Sequence, residues 1–270
     1  MERIHTLRKA TRLLLIGAPG VGKGTQTERM LQRYPQVSAI SSGDLLRNNV
    51  RNRTPLGIHA ESIMKSGKMV PDTMMIRLIL NELNKRGWIK SESVMPYTLN
   101  SVGLSERGTS FSTVDDVIVG APMTTGYSYS DDPHASFILD GFPRNVAQAQ
   151  QVDKLIPVNF VVHINTPSSV VIDRIKNRWV HGPSGRVYNT TYNPPQTAGL
   201  DDVTGEPLTR RDDDDPAVWE NRLSQFEKTS LPLLEHYDNK GLLWTVNGDS
   251  SDEITPKLFQ EFERRFASSV

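Results

Sequence analysis

Between Arg12 and Thr25 the chain reads RLLLIGAPGVGKGT, and this stretch restricts the fold more than any other. Leu13–Ile16 is a short unbroken apolar run, the pattern of a buried parallel strand. It leads directly into Gly17-Ala-Pro-Gly-Val-Gly-Lys23-Gly-Thr25, after which TQTERMLQRY has helical character. Strand, glycine-rich loop and helix in that order form the setting of a phosphate-binding loop. Glycine lets successive backbone N–H groups turn around an anion, and the N-terminal end of the following helix adds its positive potential. Lys23 brings a mobile cation to the outer phosphates. The general motif has Ser or Thr immediately after the lysine, to reach Mg²⁺. Here Gly24 stands there and Thr25 comes one place later, so another group must help hold the ion.

The rest of the chain supplies the sheet that such a loop requires. Val37–Ile40 reads as a second strand, followed by a helix LLRNNVRN that Asp44 or Ser42 can cap and that carries Arg47. PLGIHAESIMKSGKMV is predicted to be a helix ended by Gly67. Pro71 and Asp72 open another, whose mostly apolar face carries Met75, Leu78, Ile79, Glu82 and Leu83 and which Gly87 stops. Ser136–Leu139 is a third strand ending in Asp140-Gly-Phe-Pro-Arg144, and an acidic group at a strand's carboxyl end faces the ligand crevice of an open α/β sheet. Such a carboxylate, near a phosphate loop, suits Mg²⁺. VNFVVHI (Val158–Ile164) is a fourth strand, with His163 read as a packed or edge histidine. PSSVVIDRIKNRW is then a helix with Arg174 and Arg178 on one face. Leu242–Val246 is a fifth strand, and DEITPKLFQEFERRF closes the chain as a helix. Five apolar strands alternating with helices predict an α/β fold, a doubly wound five-stranded parallel sheet.

Two segments break this rhythm. Residues 91–134 are rich in Ser, Thr, Gly, Asp and Pro and read as an irregular insertion. Val180–Pro216, dense in Gly, Pro, Asp and Thr with short pieces such as GRVYN, reads as a small β lobe. Composition bounds the partners. Thirty-one basic and 31 acidic side chains cancel, so no global field points to nucleic acid. There is no Cys to build a disulfide or a thiolate metal site. No apolar run approaches the ~18 residues of a membrane span, so membrane insertion is not expected. The opening MERIHTLRKATR is basic and resembles a short organelle-targeting leader as much as a plain N-terminal tail.

Arg47, Arg144, Arg174, Arg178, Arg210, Arg211 and Arg222 recur around the predicted crevice. Guanidinium groups grip phosphate bidentately, and many of them from separate lobes favour transfer between two phosphate-bearing substrates. The chemistry then needs charge neutralisation and in-line geometry, not a covalent nucleophile. An acceptor phosphate oxygen is already ionised and needs no general base. A GTP-binding switch would need Asn-Lys-x-Asp and a water-orienting Gln near the loop, and neither is found. A purely structural chain would not require Lys23, Asp140 and the arginines together.

GAPGVGKGTQ, SSGDLLR, GKMVPD, DGFPRN, VHGPSGRVYN and NPPQTAGLDDVTGEPL occur in the order and spacing of the adenylate kinases, the nucleoside monophosphate kinase family. The chain resembles that family nearly throughout, except for residues 1–10 and about 91–134, and the GKGT form of the loop is the family's own. The resemblance implies a P-loop core (11–40, 73–90, 135–179, 217–270), an AMP-binding lobe (41–72) and a long-form lid (180–216), with a leader at 1–10 and the insertion at 91–134. It implies that Gly20, Val21, Gly22, Lys23, Gly24 and Thr25 cradle the donor triphosphate. Arg174, Arg178, Val187, Tyr188 and backbone near Ser250 would face the donor nucleotide. The AMP site would comprise Ser42, Arg47, Lys68, Met69, Val70, Gly141, Phe142, Pro143, Arg144 and Gln148, with Arg211 and Arg222. Lys23, Arg144, Arg178, Arg211 and Arg222 would be catalytic, and Asp140 would anchor Mg²⁺ through water. Some relatives carry lid zinc on cysteines. The matching places here are His181, Ser184, Asp201 and Thr204, where a hydrogen-bonded network is expected and structural zinc is not.

Within the family, RLLLIGAPG, ISSGDLLR and VYNTTYNPPQTAGLDDVTGEPL look most like the fungal mitochondrial GTP:AMP phosphotransferase branch. The implied reaction is Mg²⁺-dependent transfer from GTP to AMP, with ATP as the alternative donor at the same site. The expected partners are small nucleotides alone. The expected state is a monomer in the mitochondrial matrix, with the cytoplasm as the alternative.

Overall fold

In the computed structural model, residues 6–65, 70–91, 127–210 and 216–267 are described, with the backbone alone at 62, 64, 65, 91, 127 and 216–222. Strands β1 (Arg12–Ile16), β2 (Val37–Ser41), β5 (Ser136–Asp140), β6 (Phe160–Asn165) and β9 (Leu243–Asn247) form one parallel sheet in the order β2-β5-β1-β6-β9. Two antiparallel ribbons stand outside it. One pairs β3 (Ile89–Ser91) with β4 (Tyr127–Tyr129), the other β7 (Arg178–Val180) with β8 (Val187–Asn189).

The central strands read as unbroken apolar runs because helices cover both faces of the sheet. One face carries Leu14, Ile16, Ile40, Phe137, Leu139 and Val161. It is covered by α2 (Ser42–Arg51), α3 (Pro55–Lys65), α4 (Asp72–Lys85), α5 (Val146–Leu155) and α7 (Pro216–Asp238), through residues such as Leu46, Ile79, Val152 and Leu233. The other face carries Leu13, Leu15, Ile138, Phe160, Val162 and Ile164. Here α1 (Lys23–Arg33), α6 (Ser168–Lys176) and α8 (Ser251–Phe266) pack through Met30, Val171, Leu258 and Phe262. Burying each such side chain contributes about 1.5–3 kcal/mol.

Local boundaries depart from the sequence reading in instructive ways. The cap of α2 is neither Asp44 nor Ser42. Ser41 sits in extended backbone and its Oγ accepts from the Asp44 N–H at 3.2 Å, so the helix begins at Ser42, three residues ahead of the predicted LLRNNVRN. Helix α6 stops at Lys176, with Asn177 as its C-cap, because the chain leaves it to pair β7 with β8. Arg178 is therefore the first residue of a lid strand, and it does not share a helical face with Arg174. Residues 7–10, assigned to the leader, are packed. Leu7 (6% exposed) and Ala10 are buried, the Arg8 N–H donates to the Phe266 carbonyl, and Leu7 bridges Ala267. Within residues 91–134, read as irregular, Tyr127–Tyr129 forms strand β4 and Pro133–Ala135 a 3₁₀ turn. Residues 92–126, and Gly67, lie outside the described residues.

Candidate active site

The sheet register gathers the chemistry. Leu15 of β1 pairs with Asp140 of β5, and Ser41 of β2 pairs with Asp140 from the other side. The carboxyl ends of three adjacent strands thus bring together the P-loop that follows β1, the start of α2 and the Asp140-Gly141 turn. Ligands bind to open α/β sheets at such a crevice.

Within the loop, Gly22 takes the N-cap position of α1 at φ 97°, a left-handed conformation that suits glycine. Lys23 Nζ donates to the carbonyls of Gly17 (2.9 Å) and Ala18 (3.1 Å). Burial pushes the Lys23 pKa down from its ordinary value. Asp140 opposes that shift, while Arg144 and Arg178 add to it. One lysine thus feels one carboxylate and two guanidiniums, drawn from β5, the loop after it and β7. Gly24 is exposed with open space where a side chain would be, and Thr25 is half-buried.

Arg174 joins the P-loop to the loop after β9. Its Nη1 donates to the Val21 carbonyl (2.9 Å) and its Nη2 to the Asp249 carbonyl (2.7 Å). The lid residue Tyr192 lays its ring 5.4 Å from that guanidinium. Desolvation moves the Arg174 pKa down. Ser250 lies in the same place, but its Oγ is engaged in capping α8, accepting from the Glu253 N–H at 3.1 Å.

Beside Asp140, Gly141 is held at φ 82°, and a Cβ there would lie 2.7 Å from Ser42 Oγ. The buried Ser42 hydroxyl therefore sits directly against the turn. Phe142 is buried in the core and precedes Pro143 through a cis peptide bond. Its side chain is not available to a ligand, which corrects its assignment to the AMP set except through backbone; Pro143 is buried as well. Arg144 is exposed, with Nε donating to the Gly141 carbonyl at 2.8 Å. Buried Gln148 accepts from the Arg144 N–H and donates to Asp72 Oδ1, both at 2.6 Å. Arg47 is exposed and paired with Asp44 across one turn of α2. Val70 is buried in the core. Lys68, Met69 and Arg211 lie outside the described residues, as does the side chain of Arg222, whose backbone is in α7.

In the lid, Val187 is exposed, but Tyr188 is not placed to face a nucleotide. Its ring is buried (5% exposed), and its hydroxyl donates to Asp201 Oδ1 and accepts from the Asp202 N–H, both at 2.9 Å. His181, Ser184, Asp201 and Thr204 meet in the expected network. His181 Nδ1 lies 2.7 Å from Ser184 Oγ, and Thr204 Oγ1 donates to Asp201 Oδ2 at 2.9 Å. Arg186, Tyr188 and Glu206 also belong to it, which the sequence did not reveal. Arg186 Nε donates to Asp201 Oδ1 at 2.8 Å, and Glu206 Oε2 lies 2.6 Å from His181 Nε2. These donors hold the Asp201 carboxyl well below the usual carboxylate range, Arg186 contributing most. Among the described residues no group of three or more His, Asp or Glu is arranged to hold a metal. Nor is any described helix long and apolar enough to cross a membrane.

A parallel sheet with a glycine-rich loop after its central strand, a lysine coupled to a strand-end carboxylate and arginines from two further elements define a P-loop nucleotide phosphotransferase. The family model "Adenylate kinase" matches residues 15–94, and "Adenylate kinase, active site lid" matches residues 178–213. The chain is 41% identical over 270 residues to a mitochondrial GTP:AMP phosphotransferase of Saccharomyces cerevisiae, covering 98% of this chain and 97% of that protein. It is 36% identical over 250 residues to the mitochondrial GTP:AMP phosphotransferase of Drosophila melanogaster, covering 93% and 94%. The chain belongs to the adenylate kinase family and is a nucleoside monophosphate kinase.

Proposed function

We propose that the enzyme transfers the γ-phosphoryl group of GTP to AMP, giving GDP and ADP, reversibly. The observation that carries the donor assignment is 41% identity, over almost the whole of both chains, to a protein named for that reaction. In this reading the P-loop backbone from Gly20 to Thr25 cradles the donor phosphates. Arg174, tied to the Val21 and Asp249 carbonyls, holds the donor side of the crevice. Ser42, Arg47, Gly141, Arg144 and Gln148 receive AMP. Lys23, on which Arg144 and Arg178 already act electrostatically, neutralises charge on the transferring group together with those two arginines, with Arg211 and Arg222 joining from the lid and α7. The attacking AMP oxygen carries its own negative charge, so none of these residues is asked to remove a proton. Closure of lid and AMP lobe excludes water, which suppresses hydrolysis.

The residues present suit Mg²⁺, because Asp140 offers a hard carboxylate at the strand end next to Lys23. When bound, Mg²⁺ supplies charge neutralisation on the donor phosphates. Asp140 would hold it through water, and Gly24, directly after the lysine, has no hydroxyl to share the ion. The relatives' names place them in mitochondria, and we assign this enzyme to the matrix, as a monomer. The test is ADP formation from AMP with GTP or ATP as sole donor. A higher kcat/KM with GTP is expected, and a clear preference for ATP would overturn the donor assignment while leaving the reaction class.

A further inference from the structure

We propose that Asp72 is the positioning residue that sets selectivity for the acceptor base, by locking the side-chain amide of Gln148 in one orientation. The proposal rests on the reading of Gln148 as an AMP-site residue. Gln148 is buried (2% exposed) on the first turn of α5, where Asn145 Oδ1 accepts from its backbone N–H at 2.9 Å. Its amide has two neighbours, each with a single hydrogen-bonding role. The Arg144 backbone N–H can only donate, and it points at Oε1 from 2.6 Å. The Asp72 carboxylate, when ionised, can only accept, and it receives Nε2 at 2.6 Å. Rotating the amide by half a turn would set N–H against N–H and oxygen against carboxylate. The two partners therefore fix which end of the amide is which, and this does not depend on how the amide atoms were assigned.

Each end of the amide keeps one further valence, a second N–H on Nε2 and a second lone pair on Oε1. A base edge read by this amide must offer a donor to the oxygen and an acceptor to the nitrogen. Adenine does so with its exocyclic amino group and ring N1. Hypoxanthine and guanine present the reverse order, a carbonyl oxygen and a ring N–H, and would need the amide turned over. Arg144 N–H alone resists that reversal at one end, and the carboxylate of Asp72 adds the second constraint at the other. Asp72 comes from the N-terminus of α4, across a separation of 76 residues, so it joins the edge of the AMP lobe to the DGFPR turn. A site built to pair with one pattern of polar groups discriminates strongly against the reversed pattern, because its buried groups are then left unpaired.

The experiment compares AMP with IMP as acceptor at saturating GTP and excess Mg²⁺, in wild type, Asp72→Asn and Gln148→Ala. An asparagine at 72 can accept or donate, so it supports either amide orientation. Asp72→Asn should raise the KM for AMP and lower the AMP:IMP ratio of kcat/KM by about 10-fold or more, with the donor KM unchanged. A ratio that stays at the wild-type value, or an equal loss for both acceptors, overturns the role of Asp72. Gln148→Ala separates this from the underlying reading. If it leaves the KM for AMP unchanged, the AMP-site assignment itself fails; if it raises that KM while Asp72→Asn leaves the ratio intact, only the present inference fails. Circular dichroism establishes that each variant is folded. Should Asp72→Asn not fold, Asp72→Ser, which removes the carboxylate with a small side chain, is read by the same ratio.

Discussion

Lys23 shows how a single side chain is held ready. Its ammonium rests on the Gly17 and Ala18 carbonyls, burial drives its pKa down, and Asp140 acts in the other direction. Replacing it with methionine keeps the length of the side chain and removes the charge. Turnover should fall by about 10²–10³, the usual loss when one preorganised donor to developing charge is removed. The two carbonyls left unpaired should cost about 1–3 kcal/mol of stability, not the fold. Initial rates of ADP formation together with thermal unfolding followed by circular dichroism check both parts, and turnover within threefold of wild type would refute the placement of this lysine. Such a residue is legible in sequence because its partners lie within the same short loop. Tyr188 is the opposite case. Whether it faces a nucleotide or the lid interior depends on Asp201 and Asp202, brought to its hydroxyl only by the folded lobe. Asp72 could be read as a helix opener, but nothing near it in the chain announces Gln148.

At the scale of elements, the lid is tied together by polar groups. Asp201 is buried and gathers Arg186, Tyr188, the Thr204 hydroxyl and the Thr204 backbone N–H. A carboxyl whose folded-state pKa is depressed stabilises the fold above its unfolded value, near 3.9, and that contribution is lost as pH falls below it. The lid should therefore loosen in acid. Melting temperatures of wild type and Asp201→Asn should differ most near neutral pH and converge as the pH falls below about 4. A constant difference across that range would show that the carboxylate charge is not what holds the lobe. The element boundaries around the lid were only partly readable. SSVVIDRIK has helical periodicity, but the strand pairing of Arg178 with Asn189 and of Val180 with Val187 ends the helix earlier than the periodicity does. Long-range pairing of this kind overrides local preference and leaves little trace in the segment itself.

On the scale of the whole molecule, the parallel sheet was legible because its strands are apolar throughout and its motifs fall at strand ends. The edge that carries the insertion was not, since its order comes from contacts between distant segments. Buried Arg12 of β1 reaches out to the Ser130 carbonyl (2.9 Å) and to Asp131 (3.2 Å), and the Ala10 N–H donates to the Asp131 carbonyl. Trp88 stacks on Phe137 of β5 at 5.9 Å between ring centroids, and the Ser130 N–H donates to the Trp88 carbonyl. The β3–β4 ribbon is thus fastened to the core at its base by residues outside 92–126. Ser91 and Tyr127 are directly paired across that ribbon, so the two ends of the intervening segment lie side by side. An Asn-Gly turn of two residues can close such an antiparallel pair. Replacing residues 92–126 by Asn-Gly should therefore leave the protein no less stable, and more stable by up to about 2.5 kcal/mol, because each halving of a closed loop saves about 0.6 kcal/mol of closure entropy. It should also leave kcat and both substrate KM values within about threefold, an energy change of under 1 kcal/mol, since the ribbon's anchors are separate from Lys23, Asp140 and the arginines. The excised and full-length proteins would be compared by urea unfolding and by steady-state rates with GTP and AMP. A large loss of stability would mean that the segment contributes to the core, and a selective loss of turnover at unchanged stability would mean that it reaches the active site.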